Sequence, residues 1–208
     1  AFGHDLYRVS SRYLQDNGGI VLANDMVPTS SADYSAYILK VRALKPDFVY
    51  VAAYAEEISR IVRDLAGHGF AGVILTTSSF AAAEIISKTG AAAEDIYFTQ
   101  TSFDVEGPKI APHVKAFVDA FRAKYGQVPD LYAAHGYDSF MILVEAVREG
   151  GDSPTSFWKG LRAVHEYPGV TGTLQFDEKG DVQKFPHVYV VDNGKAVEVR
   201  GDGVVGEQ

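Results

Sequence analysis

Pro46–Glu57 reads PDFVYVAAYAEE. Phe48 to Ala53 carries no charge, so it does not alternate as a half-exposed strand does. A short unbroken apolar run behind the turn signal Lys45-Pro46-Asp47 predicts a strand buried on both faces, as in a parallel sheet. Ile58, Ile61, Val62 and Leu65 then recur at helical spacing, and Gly67 and Gly69 close that helix. Tyr54 is thus placed where a strand ends and a helix begins. In open α/β sheets ligands bind at such places.

The pattern repeats on both sides. Leu6, Val9 and Tyr13 mark one face of a first helix ending at Asp16–Gly19, and Ile20–Asp25 (IVLAND) reads as a strand. Tyr34, Ile38, Val41 and Leu44 predict the inward face of a second helix, with Ser or Asp as caps. Downstream, Gly72–Thr77 reads as a strand, SSFAAAEIISKTG as a short helix ending at Gly90, and Asp95–Thr101 as a further strand. Strands alternating with helices imply crossover units, hence an α/β fold with a parallel sheet flanked by helices. After residue 102 the alternation stops. Three helices follow over 112–125, 131–149 and 154–165, and then short strands with turns. The last pair is joined at Asn193-Gly194, a hairpin signal.

The 208 residues are 47% hydrophobic and carry a net charge of -8, with acidic and basic residues interspersed. Without a basic stripe to neutralise phosphates, nucleic acid is excluded as a partner. No apolar run is long enough for a spanning helix. The chain has no cysteine, which excludes disulfides, thiol catalysis and cysteine-ligated metals. Its six histidines are scattered, and no HExxH occurs, so no metal site is expected. Phosphate-loop, GxGxxG and GxSxG signatures are absent too, and no cofactor is expected. No signal peptide is visible; the expectation is that any targeting segment has been removed.

The run FGHDLYRVSSRYLQDNGGIVLANDMVPTSSADYSAYILKVRALKPDFVYVAAYAEEISRIVRDLAGHGF, with YGQVPDLYAAHGYDSFMILVEAVREGG and GVTGTLQFDEKGDVQKF, resembles the leucine/isoleucine/valine-binding class of periplasmic solute receptors. Members have two α/β lobes joined by three crossings, with ligand trapped between the lobes. The resemblance implies that residues 1–102 and 181–208 belong to the second lobe. It places 103–180 in the first lobe, most of which is absent from this chain. The three helices over 112–165 then lack a sheet of their own, and self-association is expected from the apolar surface this leaves.

The resemblance also implies a site. Phe2 matches the aromatic of the family's YG start, Tyr54 the tyrosine closing a second-lobe strand, and Tyr132 an aromatic returning from the first lobe. Ser78 falls where amino-acid binders place the glutamate that pairs with the ligand ammonium. A buried ammonium needs a carboxylate, because one hydroxyl does not offset its desolvation. Thr76–Ser79 (TTSS) offers hydroxyls and backbone donors at a helix start instead, which suits an anion or neutral polar group. Phe2, Tyr54, Thr77, Ser78, Ser79 and Tyr132 are therefore the expected ligand contacts. The expected ligand is a small carboxylate, aromatic or branched and apolar. An amino acid stays open if Glu56, Asp104 or a residue outside this chain supplies the negative charge. Ser78 as a plain helix cap competes with Ser78 as a ligand contact. His135 and Asp138, one turn apart in HGYDSF, read as a surface or interlobe hydrogen-bonding pair before an acid/base pair.

The function so implied is a periplasmic or extracytoplasmic receptor that hands a small-molecule ligand to the membrane permease of an ABC importer, without chemical conversion. Two alternatives share the sequence. A ligand-sensing regulator domain on the same fold calls for a basic DNA-binding segment, and none is seen. A small α/β enzyme calls for a nucleophile or acid/base pair at a strand end, where only Tyr54, the TTSS hydroxyls and Gln100 are offered.

Overall fold

The computed structural model describes residues 2–28, 31, 33–101, 103, 105, 110–184, 186–200 and 203–204. In chain order the elements are α1 (Phe2–Asp16), α2 (Ser35–Leu44), β1 (Phe48–Val51), α3 (Ala55–Gly67), β2 (Val73–Thr76), α4 (Ala83–Thr89), β3 (Ile96–Gln100), α5 (Pro112–Tyr125), α6 (Leu131–Gly150), α7 (Pro154–Ala163), β4 (Tyr167–Gly169), β5 (Gly172–Leu174), β6 (His187–Asp192), β7 (Lys195–Arg200) and β8 (Gly203–Val204). The chain divides into two compact units, Ala1–Gln100 with His187–Gln208, and Thr101–Pro186.

The first unit is built on a six-stranded sheet in the order β1-β2-β3-β6-β7-β8. β1, β2 and β3 run parallel, and β3 to β8 pair antiparallel. Asn193 (φ 51°) and Gly194 (φ 72°) turn the β6–β7 hairpin in the left-handed region, as their sequence predicts. The Glu94 carboxylate accepts from both turn amides, at 2.9 and 2.7 Å. α3 lays Ile58, Val62 and Leu65 on the sheet, each fully buried, beside Ile38, Phe80, Ile86, Phe98 and Val191. The Phe98 ring stacks on Tyr189 at 5.8 Å and meets Phe80 edge-on at 6.1 Å. Where α3 faces α4, Thr89 Oγ1 donates to the Ile85 carbonyl at 2.7 Å and lies 2.8 Å from Ser59 Oγ. That pairing satisfies the buried hydroxyls on the inner faces of the two helices.

Four expectations change here. Ile20–Asp25 is not a strand. It has no ladder partner among the described residues, and the Ile20 side chain is 78% exposed. β1 is not buried on both faces: exposure falls from Phe48 at its start to buried Val51. β1 is the outermost strand of the sheet, so it has a strand beside it on one edge only among the described residues. The short helix after β2 is split into a 3₁₀ turn, Ser78–Phe80, and α4. Leu44 is exposed, whereas Tyr34 and Ile38 of the same predicted face are buried. Val9 and Tyr13 on α1 are exposed as well.

In the second unit, Val114, Phe117 and Val118 of α5 pack with Ala134 of α6 and Val170. Ile142, Val164 and Leu174 form a smaller cluster. The sheet among this unit's described residues is the β4–β5 hairpin. Asp130 caps α6, its carboxylate accepting from the Ala133 amide at 2.8 Å. Ser153 caps α7, accepting from the Ser156 amide at 3.3 Å, with Pro154 at the first helical position.

Candidate functional site

β1 and β2 pair in parallel with Val51 opposite Thr76. The chain therefore leaves both strands on the same rim of the sheet, the carboxyl ends. Tyr54 stands three residues beyond Val51 and Thr77 one beyond Thr76. The rim is fixed by the buried Thr76 hydroxyl, which donates to the Val51 carbonyl at 2.9 Å and ties the two exits together.

Tyr54 is the residue preceding α3, with extended backbone (φ −86°, ψ 166°) and a side chain 59% exposed. An extended residue at that position directs the first-turn amides of α3 toward the rim. Thr77 is buried, and its hydroxyl caps the 3₁₀ turn by accepting from the Ser79 amide at 3.4 Å. The cap of the 3₁₀ turn is thus Thr77, not Ser78. Phe2 opens α1, but its side chain lies outside the described residues. Glu56, considered as a partner for a ligand ammonium, is held by Lys88 Nζ at 2.6 and 2.8 Å. Asp104, considered for the same task, lies outside the described residues. Tyr54, Thr77, Ser78 and Ser79 thus share one rim in the first unit.

Tyr132 belongs to the second unit, in the first turn of α6, 52% exposed. Burial, then the nearby Asp130 charge, raises its phenol pKa, so it remains a neutral hydroxyl. His135 and Asp138 do not form an acid/base pair. His135 Nε2 lies 3.0 Å from Thr101 Oγ1. Asp138, 3% exposed, accepts from the Val170 amide (2.7 Å), the Thr171 amide (2.9 Å) and the Thr171 hydroxyl (2.6 Å). Lys184 Nζ in turn donates to Thr171 Oγ1. Sequence reasoning missed Thr101, Thr171 and Lys184. The one available signal was the GVTGT turn, whose small residues let its backbone approach a carboxylate.

Among the described residues no group of three or more His, Asp or Glu is placed to hold a metal ion, and no helix is long and apolar enough to cross a membrane.

The leucine-, isoleucine-, valine-, threonine- and alanine-binding protein of Pseudomonas aeruginosa is 25% identical over 185 residues, which is 88% of this chain and 48% of that protein. The chain spans about half the length of the curated relatives it matches. A solved leucine-binding protein of Thermotoga maritima superimposes with a TM-score of 0.85 at 28% identity, over 96% of this chain and 56% of the other. The branched-chain amino acid transporter substrate-binding protein of Streptococcus pneumoniae, solved in complex with isoleucine, gives 0.77 at 26% identity, over 95% and 55%. The family whose pattern matches residues 1–195 is that of the periplasmic binding proteins, and this chain belongs to it.

Proposed function

We propose that the chain is the ligand-grasping part of an extracytoplasmic receptor that passes a small carboxylate to the permease of an ABC importer. In this reading the lobes follow the two compact units, a few residues away from the bounds expected at 102 and 181: residues 1–100 and 187–208 form most of one lobe, and 101–186 return to another whose remainder is not in these 208 residues. The support for that division is the α5–α7 helices, which have no parallel sheet of their own among the described residues. Ligand stabilises the closed arrangement of the lobes, and the permease responds to that shape.

The observation that carries the ligand class is the rim itself. Tyr54 supplies an exposed ring, Ser78 and Ser79 bring hydroxyls beside the Thr77 cap, and the neighbouring Glu56 is engaged by Lys88. Such a rim favours a carboxylate attached to an apolar or aromatic body. The names of the relatives favour a second reading, a branched-chain amino acid, whose ammonium then needs a carboxylate other than Glu56.

A thermal-shift screen on the receptor carrying both lobes separates the two. A ligand at a hundred times its Kd stabilises by about 2.7 kcal/mol, a readily measured rise in melting temperature. The expected hits are branched or aromatic acids without an amino group, with Tyr54→Ala weakening them about tenfold, roughly 1.4 kcal/mol. Tight leucine binding with no response to benzoate-like acids overturns the first reading in favour of the second.

Self-association belongs to the same proposal. Phe140 (64% exposed), Leu143 and Val147 line one side of α6, and Trp158 (62%) stands on α7. Exposed apolar side chains in that number mark a surface that a second copy can cover. The expected light-scattering mass is a multiple of 22.6 kDa, and a monomer mass at micromolar concentration refutes it.

A further inference from the structure

The chain passes between its two units at Gln100–Thr101 and again at Pro186–His187. Both passages are tied to one polar cluster on α6. Thr101, the first residue of the second unit, is bonded through its hydroxyl to His135. Lys184, two residues before the second passage, reaches the Thr171 hydroxyl, which donates to Asp138. His135 and Asp138 are one helical turn apart. We propose that this cluster is the common anchor of the two crossings and that His135 is the proton-operated latch of the first.

The proposal rests on the lobe-closure reading above, since crossings matter to a receptor that shuts about them. Its physics is local to the second unit. His135 is half-buried, and the charges acting on it are Lys184, across from it, and Asp138, on its own helix. Burial first, and Lys184 second, lower the imidazole pKa, while Asp138 opposes them. Asp138 is the smallest of the three influences, and its oxygens are bonded to three donors other than His135. At neutral pH the ring is uncharged and can accept from the Thr101 hydroxyl. Once protonated, Nε2 can only donate to the Thr101 oxygen, and the charge is partly desolvated and repelled by Lys184; the ring relieves both costs by turning toward water and leaving Thr101. The sign follows from the depressed value. Between the ordinary histidine pKa and the lower folded one, the released state binds more protons, so the latch weakens as pH falls through that window.

Nuclear magnetic resonance on the ligand-free 208-residue chain tests this. The His135 ring is titrated while the χ1 rotamer of the Thr101 side chain, which carries the bonded hydroxyl, is followed by three-bond couplings from about pH 7.5 to about pH 5. The expected result is a change of the Thr101 side chain from one rotamer to an averaged mixture, with the same midpoint as the ring. His135→Gln, which keeps a hydrogen-bonding group but cannot charge, removes the step. Lys184→Met moves the ring midpoint upward and lowers amide-exchange protection around residues 182–184. A step that persists in His135→Gln, or a ring midpoint unmoved by Lys184→Met, overturns the proposal. No ligand enters the measurement, so failure to find a ligand leaves this result standing, and failure of the latch leaves the receptor reading standing.

Discussion

Asp138→Ala is expected to lower the unfolding free energy by about 4 kcal/mol, read from the midpoint of a urea titration. The carboxylate is 3% exposed and has three donors, two of them backbone amides of the turn between β4 and β5. Alanine leaves the Val170 and Thr171 amides facing the empty space of the lost side chain. Each buried unpaired donor costs roughly 1–3 kcal/mol. It also takes away the negative charge that acts on half-buried Lys184. Water entering the vacated space recovers part of the loss, which holds the estimate at the middle of the range for breaking a buried charged pair, below its upper end. Asp138→Asn separates charge from shape. Its amide nitrogen must face a donor on one side, so it is expected to cost nearly as much as alanine. Thr171→Val removes one donor and one acceptor together and is expected to cost about 1.5 kcal/mol. An Asp138→Ala chain within about 1 kcal/mol of the parent refutes the clamp.

The reach of the sequence differs between the two units for a physical reason. Strand-to-helix transitions in parallel crossover units leave a local mark. PDFVYVAAYAEE therefore located β1, the start of α3 and Tyr54 between them, and the TTSS run fell on the same rim. Asn193-Gly194 likewise carried its turn conformation in its own two residues. What the sequence did not carry was the identity of neighbours. Ile20–Asp25 has the apolar content of a strand, but strand character requires a ladder, and it pairs with no strand among the described residues. Phe48 reads as buried from its run and is exposed at the start of the outermost strand. Asp138 reads as half of a pair with His135, because both lie on one helical face. Its partners are two main-chain amides and a hydroxyl about thirty residues on, and amides leave no mark in a sequence. Thr77 took the cap that Ser78 was a candidate for, a difference of one residue decided by where β2 stops.

Gly160→Ala is expected to destabilise the chain by about 3 kcal/mol, although alanine is the better helix former. A Cβ built on Gly160 of α7 falls 1.9 Å from the Ala146 carbonyl oxygen and 2.8 Å from the Gly150 amide nitrogen. Built on Gly150 of α6 it falls 2.0 Å from the Ser156 carbonyl oxygen. The obstructing atoms are main chain in each case, so no rotamer change makes room. The two helices touch backbone to backbone along this seam, and a methyl group has to push them apart. Separation withdraws α7 from α6 and disturbs the turn at Gly151, whose φ of 95° already demands glycine. The intrinsic preference for alanine, about 1 kcal/mol, acts in the opposite direction and is too small to win. Gly136, in the same long α6, is the control. Nothing lies within 4 Å of its Cβ position, and its φ is not in the left-handed region. Gly136→Ala is therefore expected to stabilise by up to about 1 kcal/mol. Opposite signs at the two glycines, measured in the same urea titration, distinguish steric contact from helix propensity. A Gly160→Ala chain as stable as the parent means that α6 and α7 do not approach at their main chains, and the close seam between them is then wrong.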